Sequence, residues 1–179
     1  MPETNTGTGS AGLLAGAAGN WKLDPAHTTV ELHTKAMWGL AKVKGTMTAI
    51  EGSGTVSEDG SVSGTLVIDA TSISTNNKKR DEHLRGSDFF EVVKYPTLTY
   101  SVTGVTPMDD GKLKVSGSLA VHGRTHPLES SATAVKGDPG RVTLTVQAEV
   151  DRSEWGMTWA KMGAKLDNRV VVKADFVKA

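Results

Sequence analysis

The chain has 179 residues, in which 20 Lys and Arg balance 20 Asp and Glu, and it contains no cysteine. A chain of this length can bury a large apolar core as one domain. Zero net charge argues against a nucleic-acid partner, because binding to that polyanion rests on excess positive charge. Without cysteine, the chain can form neither a disulfide framework nor a thiolate metal site.

Residues 1–20 differ in composition from the rest and contain no Lys or Arg. A secretory signal needs a basic start and a long apolar run, whereas this segment has Glu3 near its start and a short apolar run broken by Gly16. We therefore expect a flexible tail over 1–20, a single domain over 21–179 and a cytoplasmic location. No stretch approaches the roughly 20 apolar residues of a membrane-spanning helix.

From Thr28 onward, apolar and polar residues alternate with the period of two that predicts strands with one buried face. The clearest run extends from Val142 to Val150, and about eight such runs occur along the chain. The alternation places on the buried face, and so in the lining of any internal cavity, residues Val30, Leu32, Leu66, Ile68, Leu98, Tyr100, Leu119, Val146 and Val172.

Short turn motifs separate these predicted strands. Asp59-Gly60 and Asp110-Gly111 are hairpin signals, Gly123-Arg124 is expected to form a tight turn, and Asp138-Pro139-Gly140 breaks the pattern strongly. Such short connections indicate an antiparallel meander. Closure into an up-and-down barrel would remove its edges, but a two-sheet sandwich has the same local pattern, so periodicity leaves both open.

Three segments break the alternation and are expected to contain short helices, near 36–42, 76–91 and 153–160. The first and third segments contain Met37, Trp38 and Trp155. These large side chains could line the opening of a barrel or equally fill its ends.

The middle segment has helix-start residues at Asn76 and Asn77 and a stop signal at Gly86, with Leu84 its single apolar residue before that stop. Such a helix buries little surface. We expect it to lie across one end of the barrel, with its charged side chains in water and with Phe89 and Phe90, two of the three phenylalanines, turned into the lumen.

Four ordered motifs carry a resemblance to a known family: WKLDPAHTTVELHTK (21–35), SISTNNKKRDEHLRGSDFFEVVKYPTLTY (72–100), VSGSLAVHGRTHPLE (115–129) and DRSEWGM (151–157). Together they resemble the YceI-like polyisoprenoid-binding family. The resemblance implies a lipocalin-like, eight-stranded antiparallel barrel whose apolar lumen holds a long isoprenoid chain.

Elementary energetics are consistent with that ligand. An eight-stranded barrel can enclose one small ligand when its inward side chains leave room. Each five-carbon prenyl unit contributes about 4 kcal/mol of transfer free energy, so a few units suffice for tight binding after association costs. We expect an isoprenoid lipid as the partner and no other cofactor. The sequence does not decide whether the protein forms a homodimer.

The five histidines do not predict a metal site. With Gly123-Arg124 as a two-residue turn, His122 and His126 would point to opposite faces. The other three, His27, His33 and His83, have no close ligand spacing.

Polar chemistry at the mouth of the barrel leaves alternatives open. Arg80, His83 and Arg85 are candidate contacts for a lipid head group, but they could instead pair locally with Asp81 and Glu82. The chain is expected to bind, store or transport the lipid without catalysis. The alternatives are an enzyme acting on a prenyl lipid at the mouth through His83, Asp81 or Arg80, and a ligand-free stress or interaction module.

Overall fold

The structure is a computed structural model that describes residues 16–179, apart from the side chain of Met162. Nine antiparallel strands make up most of it: β1 (Gly19–Leu23), β2 (Thr29–Ala36), β3 (Ala41–Val56), β4 (Val62–Ser74), β5 (Thr97–Pro107), β6 (Leu113–Val121), β7 (Arg124–Lys136), β8 (Arg141–Asp151) and β9 (Asp167–Lys178). The tail predicted over 1–20 lies largely outside the described residues, but Gly19 and Asn20 already belong to β1.

The strands close into a barrel of eight positions. Strands β2 to β9 follow one another as neighbours, and β9 pairs with β2. Strand β1 pairs with the last residues of β3 and of β9, so that β1 and β2 together fill one position, interrupted by a short turn at Pro25–His27. The predicted eight-stranded antiparallel barrel is confirmed, and the sandwich is excluded.

The two ends of the barrel differ in their connections. At the hairpin end, tight turns at 57–61, 108–112 and 137–140 join the strands. At the helix end, the connections are 37–40, 75–96, 122–123 and 152–166, and they include every described helical turn except Pro25–His27.

The turn between β6 and β7 corrects a sequence prediction. Val121 pairs with Arg124, so the turn residues are His122-Gly123 and not Gly123-Arg124. A two-residue hairpin turn of this type needs positive φ at both central positions, and His122 and Gly123 have φ of 54° and 73°. The predicted register would have placed Arg124, rather than a glycine, at the second of these positions.

Short helices lie in the three predicted segments: the α-helix α1 (Lys78–Arg85) and 3₁₀ turns at Met37–Gly39 and Arg152–Trp155. Two further 3₁₀ turns, Pro25–His27 and Lys161–Gly163, lie beyond those segments. The Asn77 side chain caps α1 by accepting a hydrogen bond from the Arg80 amide at 3.1 Å. No helix among residues 16–179 is long and apolar enough to cross a membrane.

Helix α1 is fixed to β4 by polar contacts. The Arg85 guanidinium donates to the carbonyls of Thr71 and Ile73 at 3.1 and 2.8 Å. The charged side chains from Lys78 to Glu82 were expected to lie mostly in water, and Lys78, Lys79 and Glu82 are exposed. Asp81 is the exception at 7% exposure, and its carboxylate accepts hydrogen bonds from the Thr75 amide and hydroxyl. These bonds hold α1 to β4 and to Thr75 at the helix end.

Candidate functional site: the barrel lumen

The barrel encloses an elongated cavity of about 260 Å³. It extends from the hairpin end, where Val56, Val62 and Val105 line it, to Leu119 and Val150 near the helix end. Every lining side chain within residues 16–179 is uncharged, and most are aliphatic. Such a lumen favours an elongated apolar ligand, because burial of apolar surface is the main favourable term it can offer.

The structure brings together on this wall all the residues that the strand alternation had assigned to it: Val30, Leu32, Leu66, Ile68, Leu98, Tyr100, Leu119, Val146 and Val172. They come from six different strands, and the pairing places their side chains on the inner face. That they contact a ligand stays a prediction.

Sequence reasoning left out further lining residues, among them Ala17, Trp21, Met47, Ser130, Ala132, Leu144 and Phe176. The alternation in β3, β7, β8 and β9 was a usable signal for most of these. No such signal marked Ala17 and Trp21, since their place in the wall depends on the pairing of β1 with the distant strands β3 and β9. The Trp21 indole donates to the Ala17 carbonyl at 2.8 Å, which holds the two residues together.

Six residues predicted to line the lumen or its mouth do not belong to the cavity wall: Met37, Trp38, Leu84, Phe89, Phe90 and Trp155. Met37 and Trp38 are 53% and 74% exposed in the turn between β2 and β3. Leu84 and Phe90 pack against the core from α1 and the segment after it. Trp155 is fully buried and donates its indole N–H to the Leu119 carbonyl at 2.8 Å, so it closes the helix end of the barrel.

Phe89 belongs to an aromatic cluster outside the lumen. Its ring lies 5.4 Å from that of Trp159 and 5.1 Å from that of His83, and the Arg152 guanidinium lies 5.1 Å from its centroid. Arg152 is itself buried, and its guanidinium donates to the carbonyls of Met157 and Lys165. Phe89 therefore lies outside the cavity wall and stabilises the packing of the long connections, whereas Phe90 packs against the buried core, and contact of its ring with a ligand in the lumen stays a prediction.

The three candidate head-group residues are held by local contacts. Arg80 donates to the Thr75 hydroxyl and carbonyl at 2.7 and 3.0 Å, and Arg85 donates to carbonyls of β4. His83 pairs with Asp88 at 2.9 Å. All three lie outside the cavity wall, and their recorded partners are Thr75, the β4 carbonyls and Asp88 rather than the Asp81 and Glu82 considered from the sequence.

Two hydroxyl groups interrupt the apolar lining in the interior of the barrel. The Tyr100 ring lies close to Gly117, where a Cβ atom would come within 3.0 Å of its Cζ, and its hydroxyl donates to the Leu128 carbonyl at 2.7 Å. Burial raises the pKa of Tyr100, so the group stays protonated at neutral pH. Ser130 is 8% exposed, and its hydroxyl lies beside that of Tyr100, where their hydrogen bond partly offsets the effect of burial on the Tyr100 pKa.

One group of potential metal ligands is present where none was predicted. Ligand atoms of Asp24, His27 and Asp175 lie within 4.8 Å of one another at the surface near β1. The Arg141 guanidinium, however, lies 3.4 Å from the Asp24 carboxylate and 3.1 Å from that of Asp175. The pKa of Asp24 is lowered, first by its hydrogen bond to His27 and further by Arg141. Arg141 already pairs with both carboxylates. We therefore interpret this group as an ion-pair cluster that holds β9 to the turn at Pro25–His27.

The fold and the lumen together define a closed antiparallel barrel that encloses a charge-free apolar cavity. A family model described as the YceI-like domain matches residues 21–178. The chain belongs to this family.

Relatives and solved structures agree with that assignment. The chain is 31% identical over 128 residues to a UPF0312 protein of Vibrio parahaemolyticus, which covers 68% of this chain and 66% of the relative. It is 34% identical over 128 residues to a UPF0312 protein of Yersinia pestis, with the same coverage. Only about two thirds of each relative's length is therefore matched.

Solved structures share the fold. BcnA of Burkholderia cenocepacia superposes with a TM-score of 0.74 at 17% identity, covering 86% of this chain and 98% of BcnA. A polyisoprenoid binding domain from Saccharophagus degradans, described as implicated in plant cell wall breakdown, superposes with a TM-score of 0.70 at 14% identity, covering 89% and 98%. At these identities the likeness shows the fold alone.

Proposed function

We propose that this protein binds a long-chain isoprenoid lipid in its barrel lumen and stores or transports it without chemical change, in the cytoplasm. The observation that carries the proposal is the lumen itself, which is apolar and free of charge along its whole length. A charged or strongly polar ligand would lose its hydration there without compensation.

The shape of the wall also suits a prenyl chain. Small residues such as Ala132 and Ala174 alternate with Val146 and Val172, which leaves space for a branched chain between neighbouring strands. At about 0.8 kcal/mol per buried CH₂ group, a few prenyl units exceed the cost of association. The family assignment, and the binding named for the Saccharophagus degradans domain, support the same ligand class.

The enzymatic alternative receives no support from the site. Its candidate residues Arg80, Asp81 and His83 are engaged with Thr75 or Asp88 on the outside of the helix end. A general acid or base must reach the reacting group within hydrogen-bond distance, and none of these three lines the cavity.

Native mass spectrometry of the purified protein, before and after addition of a prenyl lipid, tests the proposal. We expect a complex of defined mass, and we expect Ala132→Phe to abolish it, because Ala132 lines the lumen at 2% exposure. Val135→Phe on the same strand is the matched control, since Val135 is 64% exposed and faces outward. Wild-type protein that purifies without lipid and takes up none would refute the proposal.

A further inference from the structure

The connection between β2 and β3, residues 37–40, exposes large apolar side chains to solvent at the helix end of the barrel. Met37 and Trp38 are more than half exposed, and Leu40 is 86% exposed. Soluble proteins seldom hold several neighbouring large apolar side chains in water unless that surface contacts a partner. This turn is therefore a candidate docking surface.

The backbone holds these side chains in a conformation that is unfavourable for them. Met37 and Trp38 have φ of 51° and 56°, in the left-handed region that bulky residues rarely adopt, and Gly39 follows with φ of 91°. The turn packs against the turn at Lys161–Gly163, where a Cβ atom on Gly163 would come within 2.7 Å of the Trp38 side chain. That contact fixes the Trp38 ring at the surface. Strain that the surrounding structure maintains in this way is common at binding sites.

Exposed lysines flank the apolar turn on both sides. Lys35 lies directly opposite Lys42 in the pairing of β2 with β3, and like charges in that position destabilise a sheet. The Lys165 amide donates to the Lys35 carbonyl at 3.0 Å, which brings the segment that contains Lys161 and Lys165 to the same place. All four lysines are exposed, and none forms an ion pair with a carboxylate in the described part of the chain. A negatively charged partner would offset their repulsion.

The positive charge is concentrated in the two segments that meet here. Residues 35–44 and 157–166 contain five lysines and no aspartate or glutamate, although the whole chain has zero net charge. Lys44, the fifth lysine, pairs with Glu31 at 3.2 Å, and Asp167 directly follows the second segment. The excess that remains is complementary to the surface of an anionic bilayer, where lysines contact the head groups while apolar side chains enter the interface.

The same composition favours a bilayer over a protein as the partner. Protein interfaces are depleted in lysine and bury about 800 Å² on each side, for which the apolar side chains of one short turn are too few. Each lysine near an anionic bilayer adds affinity instead. Tryptophan is enriched where membrane proteins cross the boundary between lipid and water, because its ring is apolar and its indole N–H is polar.

We propose that this turn docks the protein on anionic lipid bilayers, with Trp38 and Leu40 entering the interface and with lipid phosphates contacted by Lys35, Lys42, Lys161 and Lys165. The docking surface lies on the outside of the helix end. The proposal goes beyond the proposed function and does not depend on what the lumen binds.

Sedimentation with lipid vesicles measures the docking. The protein should bind vesicles of phosphatidylcholine and phosphatidylglycerol in equal parts, should bind pure phosphatidylcholine at least about tenfold more weakly, and should dissociate at about 1 M salt. Lys42→Glu combined with Lys161→Glu should lower the partition coefficient on anionic vesicles at least about 25-fold, because each lysine near such a surface contributes about fivefold. The matched control, Lys112→Glu combined with Lys136→Glu, makes the same change in net charge at the hairpin end and should lower it less than about threefold.

Trp38→Asn and Leu40→Ser test the apolar side chains separately. Asparagine tolerates the left-handed backbone at position 38, and Leu40 is almost fully exposed, so both variants should keep the wild-type melting temperature. Each should lower the partition coefficient about tenfold, since it removes apolar surface that the interface would bury. The blue shift of tryptophan emission that vesicles produce should be lost in Trp38→Asn. Val135→Ser, at an exposed position of β7, is the control and should change nothing.

The outcomes separate docking on lipid from other roles of this turn. Equal binding to both kinds of vesicle, binding to neither, unchanged binding by Trp38→Asn, or equal losses for the two lysine pairs would each overturn the proposal. A dimer in sedimentation velocity that Trp38→Asn abolishes, without vesicle binding, would overturn it in favour of a second copy of the chain. Uptake of a prenyl lipid in the absence of vesicles is measured independently, so failure of docking leaves the proposed function intact.

Discussion

Replacing Phe89 by alanine should lower stability and leave lipid binding unchanged. Phe89 is 7% exposed in its aromatic cluster, outside the cavity wall. Truncation of a packed phenylalanine costs about 3–5 kcal/mol, and the loss of the Arg152 contact favours the upper part of that range. Since a domain of this size typically has about 5–15 kcal/mol of stability, the variant should still fold.

The expected change in melting temperature follows from that free energy. For a chain of this size each kcal/mol shifts the midpoint by about 2–4 °C, which gives a decrease of about 6–20 °C. Differential scanning calorimetry measures this decrease, and titration of the folded variant with a prenyl lipid measures its affinity.

Phe176→Ala is the matched comparison, because Phe176 is half-buried and lines the cavity. Its truncation should lower lipid affinity by roughly tenfold through lost apolar contact, with a smaller loss of stability than Phe89→Ala. The reasoning is refuted if Phe89→Ala loses affinity with little change in melting temperature, or if the two variants behave alike.

Two further substitutions test the local structure. Gly117→Ala should destabilise the protein by about 1–3 kcal/mol in denaturant unfolding and displace the Tyr100 ring, because the new Cβ would collide with the Ser101 carbonyl and with that ring. A variant as stable as the wild type would contradict this and would show that the neighbouring groups move aside at little cost. The pKa of Asp151 is lowered because its carboxylate accepts hydrogen bonds from the Ser153 hydroxyl and amide. The ionised Asp151 carboxylate stabilises the fold above its unfolded-state pKa, and this stabilisation is lost as the pH falls through its folded-state pKa. Asp151→Asn should therefore flatten the decline in melting temperature below about pH 4. An unchanged dependence of the melting temperature on acid pH would contradict this.

The barrel and much of its lumen could be predicted from the sequence because both depend on a local rule. Side chains two apart in a strand share a face, so Leu66 with Ile68 and Leu98 with Tyr100 were assigned to the wall correctly. Ser130 stands on the same face as Leu128 and was passed over, although a polar residue within an apolar run is a signal that a sequence can show.

The position of Phe89 could not be predicted in this way. Phe89 follows a helix whose place is fixed by the hydrogen bonds that Asp81 accepts from Thr75 and that Arg85 donates to β4. Its ring then packs against Trp159, on a connection far along the chain. No periodic pattern encodes such contacts, so only the folded chain shows that Phe89 lies beside the barrel and not within it.

Closure of the barrel by its first and last strands has a consequence for how the chain folds. The Asp175 amide donates to the Thr28 hydroxyl across 147 residues, and β9 pairs with β1, β2 and β8. Contacts of such high order slow folding, because loop-closure entropy is lost before they form. During synthesis β2 and β8 remain open edges until the last 12-residue strand leaves the ribosome, and a nascent chain in that state is exposed to edge-to-edge association.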